Sequence, residues 1–170
     1  MPFDFKGKKV IVCGASRGIG RSIAHGFAEA GADVSICARN AEVLEKTRQE
    51  IARFGHVAHA ASCDLSQEAP IARYIPEAIK ALGGLDVLVN NATGYGMGDD
   101  EKSWEASINV DVLAAVRASR AALPSLIQSK GNIINNASGS GLRPSVRTPA
   151  YGAAKAAIIH YTRTQAAHLA

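Results

Sequence analysis

The sequence predicts a doubly wound α/β fold, in which a parallel sheet is covered by helices on both faces. Three observations predict it. Short apolar strand patterns alternate with helical patterns five times along the 170 residues, as in successive βαβ units. The first strand pattern runs directly into a glycine-rich turn and a helix. No internal repeat or low-complexity linker divides the chain. We therefore expect one domain over residues 1–170.

Each expected element is an apolar run bounded by turn residues. Strands are expected at residues 8–14, 33–38, 57–63, 85–90 and 131–137, and helices at 23–30, 40–55, 66–82, 101–128 and 151–170. Asn40 is a good N-cap for the second helix, and Gly55 is a natural stop for it. Pro70 and Pro76 are expected to interrupt or restart the third helix.

The first turn carries the strongest local signal for a nucleotide. It reads Gly14-Ala15-Ser16-Arg17-Gly18-Ile19-Gly20, with a buried strand before it and a helix after it. Glycines allow a tight turn and close backbone approach, and the N–H groups at the start of the helix can bind a pyrophosphate. The spacing is GxxxGxG, not the GxGxxG of the usual dinucleotide fingerprint.

A second group of residues has the composition of a proton-transfer site. Tyr151 and Lys155 are four residues apart on the last expected helix, so their side chains point the same way. The lysine charge favours the tyrosinate form, and such a tyrosine can give or take a proton. Ser138 lies thirteen residues before the tyrosine. Ser140 is close enough to be the alternative hydroxyl, and we expect it to be accessory.

The order of these motifs resembles the short-chain dehydrogenase/reductase family. The resemblance rests on the glycine turn, Asn90-Asn91-Ala92 after the fourth strand, Asn109, Ser138 and the Tyr151/Lys155 pair. It implies a Rossmann-like sheet with strand order 3-2-1-4-5 and a dinucleotide across the carboxyl ends of the strands. It also implies reversible hydride transfer between a nicotinamide cofactor and a small carbonyl compound or secondary alcohol.

The resemblance assigns a role to each catalytic candidate. Ser138 would hydrogen-bond the carbonyl oxygen, Tyr151 would exchange the proton, and Lys155 would support the tyrosine and bind the nicotinamide ribose. Asn109, inside the long helix, would stand at a local helix distortion and hold a water linked to Lys155. An asparagine is mildly unfavourable in a helix interior, so its presence there needs a reason. A tolerated, solvent-facing polar residue is the alternative.

Most of the expected cofactor contacts lie at the ends of the first four strands, and two lie on the last expected helix. They are Gly14, Ser16, Arg17, Gly18, Ile19 and Gly20 in the turn, Arg39 after the second strand, Asp64 and Leu65 after the third, Asn91 and Ala92 after the fourth, and Tyr151 and Lys155. Asp64 would contact adenine in the family, although a turn cap is the alternative.

Two arginines favour NADP(H), while NAD(H) stays possible. Ala38 stands where an acidic residue would bind the ribose 2′-hydroxyl of NAD, and Arg39 and Arg17 suit a 2′-phosphate. A solvated Arg39 is the alternative. Thr93 replaces a family glycine, and Cys13 replaces a family threonine. A β-branched residue at Thr93 is disfavoured if that position needs a positive φ.

Composition excludes several classes of function. The net charge is +4, but basic and acidic residues are interspersed, so we expect no nucleic-acid partner. Apolar runs are too short to span a bilayer, and residues 1–9 lack a signal-peptide pattern, so we expect no membrane partner and a cytoplasmic location. Cys13, Cys37 and Cys63 lack CxxC spacing, and we expect buried free thiols and no metal site.

Three further expectations concern the whole protein. Alanines on the helix at 101–128 and on the last helix favour pairing of these helices in a homodimer or homotetramer. They are Ala114, Ala115, Ala118, Ala121 and Ala122, and Ala153, Ala154, Ala156, Ala157, Ala166 and Ala167.

The chain stops inside the last helix, where the family adds two more strands and a substrate lid, so we expect a fragment. A non-catalytic nucleotide-binding fragment and a YxxxK epimerase or dehydratase are the alternative functions.

Overall fold

The computed structural model describes residues 3–169 and has a single five-stranded parallel sheet. The strands are β1 (Lys9–Cys13), β2 (Asp33–Ala38), β3 (Ala58–Ser62), β4 (Val87–Asn90) and β5 (Asn132–Asn135). Their order across the sheet is β3-β2-β1-β4-β5, and all neighbours are parallel. This confirms the predicted doubly wound fold and its strand order.

Within residues 3–169, six α-helices flank the sheet. They are α1 (Gly18–Glu29), α2 (Ala41–Ala52), α3 (Glu68–Leu82), α4 (Glu101–Ala106), α5 (Ala114–Ser129) and α6 (Pro149–Leu169). The side chain of Asn40 accepts a hydrogen bond from the Val43 amide, so it caps α2 as predicted. Gly55, three residues past α2, has φ +84°. The predicted end of the last helix at Ala170 lies outside the described residues.

The predicted interruption of the third helix is wrong, because α3 is continuous through both prolines. Pro70 lies in the first turn, where backbone N–H groups have no partner within the helix, so the lack of an N–H costs no helical hydrogen bond. Pro76 lies in the helix interior but on the exposed side. The Ala72 carbonyl, which loses its helical partner there, is also on an exposed residue and can bind water.

The helix predicted at 101–128 is also not uniform. A π-helical segment, Ser107–Leu113, separates α4 from α5. Each residue of an α-helix advances by about 100° around the axis, so the wider turn changes which side chains face the sheet. Ser107 and Asp111 are the buried residues of the segment.

Two apolar layers bury the strands on either side of the sheet. Because side chains alternate along a strand, Val10 and Val12 pack under α1 and α2, while Ile11 and Cys13 pack under α3 and α5. All three cysteines lie in the second layer as free, buried thiols. Burial raises the pKa of the Cys37 thiol well above its usual range. The pKa of Cys63 is also raised, by its contact with Cys37 and by burial.

The small residues of the long helix are not a free surface. Ala114, Ala115, Ala118 and Ala122 are at most 5% exposed and pack inside the protomer. These four alanines are therefore not available for contact with a second copy, whereas Ala121 is partly buried, and self-association stays a prediction. In contrast, Ala153, Ala156 and Ala157 on α6 are exposed. Within residues 3–169, no helix is both long enough and apolar enough to cross a membrane.

Candidate active site

The site forms where the carboxyl ends of β1, β4 and β5 lie side by side. Cys13 is in register with Asn90, and Asn90 is in register with Asn135. The segments that follow these three residues therefore meet at one edge of the sheet. This is the edge where doubly wound folds bind their ligands.

Two glycines of the turn, Gly14 and Gly20, pack too closely on their neighbours to allow a side chain, whereas Gly18 has open space around it and a positive φ of +59°. A Cβ on Gly14 would lie 2.8 Å from Ala92 Cα, and Gly14 itself has φ +80°. A Cβ on Gly20 would overlap the Gly14 carbonyl oxygen and the Asn91 amide nitrogen. Two backbone hydrogen bonds, from the amides of Gly14 and Ala15 to the Cys37 carbonyl, anchor the turn to β2.

The start of α1 has the features of an anion site. Arg17 is the N-cap, and its side chain does not cap the helix. The first turn carries no acidic residue. Ile19, on this turn, is 67% exposed. Uncapped amides at a helix start and a backbone cradle fit the pyrophosphate of a dinucleotide.

A network of asparagine amides joins the three strand ends. Asn91 Nδ2 donates to the Gly14 carbonyl at 2.9 Å, and Asn91 Oδ1 accepts from Asn136 Nδ2 at 3.0 Å. Asn90 Nδ2 donates to Asn135 Oδ1 at 2.8 Å. The Asn136 carbonyl in turn accepts from Lys155 at 2.8 Å. The glycine turn is thus connected to the lysine of α6 through two residues.

Lys155 is almost completely buried, with 4% of its side chain exposed. Its ammonium nitrogen lies 5.5 Å from the centroid of the Tyr151 ring and 3.1 Å from Asp111 Oδ1. The contact with Oδ1 lies outside hydrogen-bonding geometry, so it is a charge–charge contact. Asp111 Oδ2 accepts a hydrogen bond from the Gly94 amide. The structure therefore brings the predicted Tyr–Lys pair together and adds a carboxylate to it.

Ser138 and Tyr151 are both half-buried at the mouth of the site. Ser138 Oγ accepts from the Ser140 amide at 3.2 Å and caps the 3₁₀ turn Gly139–Gly141. This bond uses a lone pair and leaves the hydroxyl proton free to donate. The turn packs against α6. Ser140 thus supports Ser138 through its backbone.

Asn109 lies in the π-helical segment. A helix distortion at this residue was an expectation of the family resemblance, and the segment has that distortion. The Asn109 carbonyl accepts from the Ala114 amide, a bond that spans five residues and closes the wide turn. The water that the resemblance places on Asn109 stays a prediction.

The remaining cofactor candidates lie in the segments that follow β1, β2 and β3. Arg17 and Arg39 are exposed, and within residues 3–169 neither guanidinium forms an ion pair. Asp64 Oδ1 accepts from both the amide and the hydroxyl of Ser66, which is the turn-capping role. Its contact with adenine stays a prediction. Leu65 is 6% exposed.

Two departures from the family pattern have a structural explanation. In the described range, the non-glycine residues with positive φ are Tyr95 and Lys130, so Thr93 has an ordinary backbone conformation. A glycine at that position is therefore not required for φ. Cys13 is 2% exposed and in the core beside Cys37. The backbone N–H of Asn91 donates a hydrogen bond of 3.3 Å to the backbone carbonyl of Cys13, and this bond does not involve the Cys13 side chain.

Sequence reasoning missed Asp111 and Asn136. A signal for Asn136 was present, because Asn135-Asn136 repeats the pair Asn90-Asn91 at the end of the neighbouring strand. A buried acid two residues after Asn109 had no comparable signal. The structure shows it as one of the two buried residues of the π-helical segment.

Comparison of the whole chain with known proteins identifies its family. Residues 8–170 match the family model described as short chain dehydrogenase. The chain belongs to the short-chain dehydrogenase/reductase family. Glucose 1-dehydrogenase of Gluconobacter oxydans (strain 621H) is 37% identical over 95% of this chain and 64% of its own length.

Two solved structures of the family have the same fold. L-sorbose reductase from Gluconobacter frateurii, complexed with NADPH and L-sorbose, has a TM-score of 0.91 at 30% identity, over 99% of this chain and 66% of that one. NAD⁺-bound xylitol dehydrogenase also has a TM-score of 0.91 at 30% identity, over 97% of this chain and 66% of that one. This chain spans 64% to 66% of the length of the first curated relatives that it matches.

Proposed function

We propose that this protein is an NADP(H)-dependent oxidoreductase that interconverts a small carbonyl compound and a secondary alcohol, with Tyr151 as the acid and base. The observation that carries the proposal is the buried Lys155 ammonium, 5.5 Å from the centre of the Tyr151 ring and linked through Asn136 and Asn91 to the glycine turn. A phenol beside a fixed cation, at the end of a nucleotide crevice, suits proton exchange with a substrate.

In the direction of reduction, three side chains act on the substrate oxygen. The Ser138 hydroxyl donates a hydrogen bond to the carbonyl oxygen and orients it. Tyr151 gives its phenolic proton to that oxygen as the C–O double bond becomes single. Lys155 stabilises the tyrosinate that remains, and Asn109 supports reprotonation of the tyrosine. NADPH supplies the hydride that the carbonyl carbon receives.

The preference for NADP(H) rests on the residues at the ends of β1 and β2. The chain has Ala38 and Arg39 where an NAD-specific site would carry a carboxylate, and Arg17 lies in the adjacent turn. A guanidinium without an ion-pair partner can bind a 2′-phosphate through paired hydrogen bonds. The two structural relatives differ, since L-sorbose reductase is complexed with NADPH and xylitol dehydrogenase with NAD⁺, so the support for this preference comes from the residues of this chain.

The decisive experiment is Tyr151→Phe, assayed with NADPH and a panel of ketones. We expect turnover to fall about 10²- to 10⁴-fold, the usual effect of removing a general acid, while the Kd for NADPH changes less than about twofold. Tyr161→Phe is the matched control, because Tyr161 lies on the same helix and the substitution is identical. Unchanged turnover in Tyr151→Phe would assign the proton to another group. Binding of NADPH without any ketone reduction by the unmodified protein would favour a nucleotide-binding role or an epimerase-type reaction.

Self-association and a cytoplasmic location remain predictions. The surface for self-association is the exposed alanine face of α6, formed by Ala153, Ala156 and Ala157, since small side chains allow close helix packing. Sedimentation equilibrium over a wide range of concentrations tests it. A monomer throughout that range would contradict it.

A further inference from the structure

We propose that Ser62 is a positioning residue that strengthens the preference for NADP(H), because its hydroxyl holds the backbone from which Arg39 extends. The proposal rests on the proposed function, in which the Arg39 guanidinium binds the 2′-phosphate of the cofactor. The hydrogen bond between Ser62 and the backbone of Arg39 is itself independent of any cofactor.

Arg39 follows directly after β2 and lies in the short segment between that strand and helix α2. Its side chain is exposed, and within residues 3–169 its guanidinium forms no ion pair. The direction in which the guanidinium points is therefore set mainly by the backbone at this residue. Whatever fixes that backbone also fixes where a phosphate can be bound.

Two consecutive residues at the end of β3 hold the peptide groups on both sides of Arg39. Ser62 is in register with Ala38 in the parallel pair of β2 and β3. The Cys63 amide donates to the Ala38 carbonyl at 3.1 Å, and the Ser62 hydroxyl donates to the Arg39 carbonyl at 3.1 Å. The peptide groups before and after Arg39 are thus both attached to the neighbouring strand.

The residue after Arg39 is also fixed, because it starts helix α2. The Asn40 side chain accepts from the Val43 amide at 3.0 Å, and the Asn40 carbonyl accepts from the Leu44 amide at 3.1 Å. Arg39 therefore lies between a strand end and a helix start that are each anchored. The Ser62 hydroxyl attaches the bend between these two anchors to β3.

The bond from Ser62 depends on its side chain, whereas the bond from Cys63 is a backbone bond that any residue except proline could make. Ser62 is exposed at the end of β3, so its replacement by alanine removes the hydroxyl without leaving a buried cavity. A backbone that is already fixed loses less conformational entropy when Arg39 binds a phosphate. NAD(H) has no 2′-phosphate, so its binding does not benefit from this preorganisation.

The first experiment compares the two cofactors by calorimetric titration of Ser62→Ala. We expect NADPH to bind about fivefold more weakly, the effect of losing one hydrogen bond, and NADH to change by less than about twofold. Ser62→Thr keeps a hydroxyl, and we expect it to bind NADPH within about twofold of the unmodified protein. Equal weakening of both cofactors, no weakening of either, or a threonine variant as weak as the alanine variant would overturn the proposal.

A double-mutant cycle tests whether Ser62 acts through Arg39. Ser62→Ala is combined with Arg39→Ala, and binding of NADPH is measured for both single variants and the double variant. We expect the second substitution to cause less than about a twofold further loss, because a positioning residue has no effect once the positioned side chain is gone. A full fivefold further loss would mean that Ser62 acts on the cofactor without Arg39, and would overturn the positioning role.

Ser129→Ala is the matched control for these titrations. The Ser129 hydroxyl also donates to a backbone carbonyl of a distant segment, that of Leu85, at 2.6 Å. This bond lies at the opposite end of the sheet from the site, just before β4. We expect Ser129→Ala to leave the affinity for both cofactors unchanged. A loss of NADPH affinity equal to that of Ser62→Ala would overturn the assignment of the effect to Ser62.

Amide hydrogen exchange tests the attachment without any cofactor. The Val43 amide is protected by the Asn40 side chain, next to the bend that Ser62 holds. We expect this amide to exchange about threefold faster or more in Ser62→Ala, and at an unchanged rate in Ser129→Ala. A protein that prefers NADPH but shows unchanged exchange in Ser62→Ala would overturn this proposal alone. An unmodified protein that binds NADPH no better than NADH would overturn the proposed cofactor preference and this proposal together.

Discussion

The Asn91 side chain joins the glycine turn to the rest of the site by two hydrogen bonds. It is 9% exposed, and both ends of its amide are used: Nδ2 donates to the Gly14 carbonyl at 2.9 Å and Oδ1 accepts from Asn136 at 3.0 Å. Asn91→Ala removes both hydrogen bonds. Each neutral bond contributes about 0.5–1.5 kcal/mol net, so we expect the free energy of unfolding to fall by about 1–3 kcal/mol.

A second substitution at this position makes the prediction sharper. Asn91→Asp keeps the volume of the side chain, but it replaces the Nδ2 donor by an oxygen that faces the Gly14 carbonyl. The variant loses the hydrogen bond and gains a repulsive contact between two acceptors. We therefore expect it to be at least as destabilised as Asn91→Ala at neutral pH. We also expect both variants to bind NADPH more weakly, because the turn loses its attachment to β4.

Urea unfolding measures the stability, and calorimetric titration with NADPH measures the affinity. Asn132→Ala is the control, since Asn132 is an exposed asparagine at the amino end of β5, and we expect it to change neither quantity by more than about 0.5 kcal/mol. Stability and NADPH affinity of Asn91→Ala equal to those of the unmodified protein would refute the reasoning. An equal loss in Asn132→Ala would show that the effect is not specific to the site.

Three other outcomes follow from the structure. Gly20→Ala should abolish NADPH binding or prevent folding, because the added Cβ overlaps the backbone of the glycine turn. Gly26→Ala, in the same helix but with open space around its Cβ, should instead raise the free energy of unfolding by about 0.5–1 kcal/mol. Equal effects at both positions would contradict the packing argument. Arg39→Asp should weaken NADPH binding by about 1.5–3 kcal/mol and leave NAD⁺ binding nearly unchanged in calorimetric titrations; an unmodified protein that binds both cofactors equally well would contradict it. The three free thiols should be inert to an aromatic disulfide reagent in the folded protein and should all react after denaturation. All three are buried, and the raised pKa values of Cys37 and Cys63 also keep those two protonated. Fast colour release from the folded protein at pH 8 would contradict this.

The sequence by itself determined the features that depend on local pattern. The alternation of strands and helices, the glycine turn and the N-cap at Asn40 all depend on residues close together in the chain. The pairing of Tyr151 with Lys155 belongs to the same class, because the period of an α-helix fixes it. Strand order came from the family resemblance, which five ordered motifs supported.

The family resemblance implied a helix distortion at Asn109, but only the tertiary structure showed that it is a π-helical segment and that it carries Asp111 into the site. The contact between Asp111 and Lys155 joins residues 44 positions apart in the chain, so no local pattern predicts it. Helical periodicity assumes a constant turn, so it places side chains wrongly after a distortion. The same packing buries the alanines of α5, which composition alone presented as a free face. Local pattern thus identifies the elements and part of the site, whereas contacts between distant segments determine which polar groups share the buried space around the lysine.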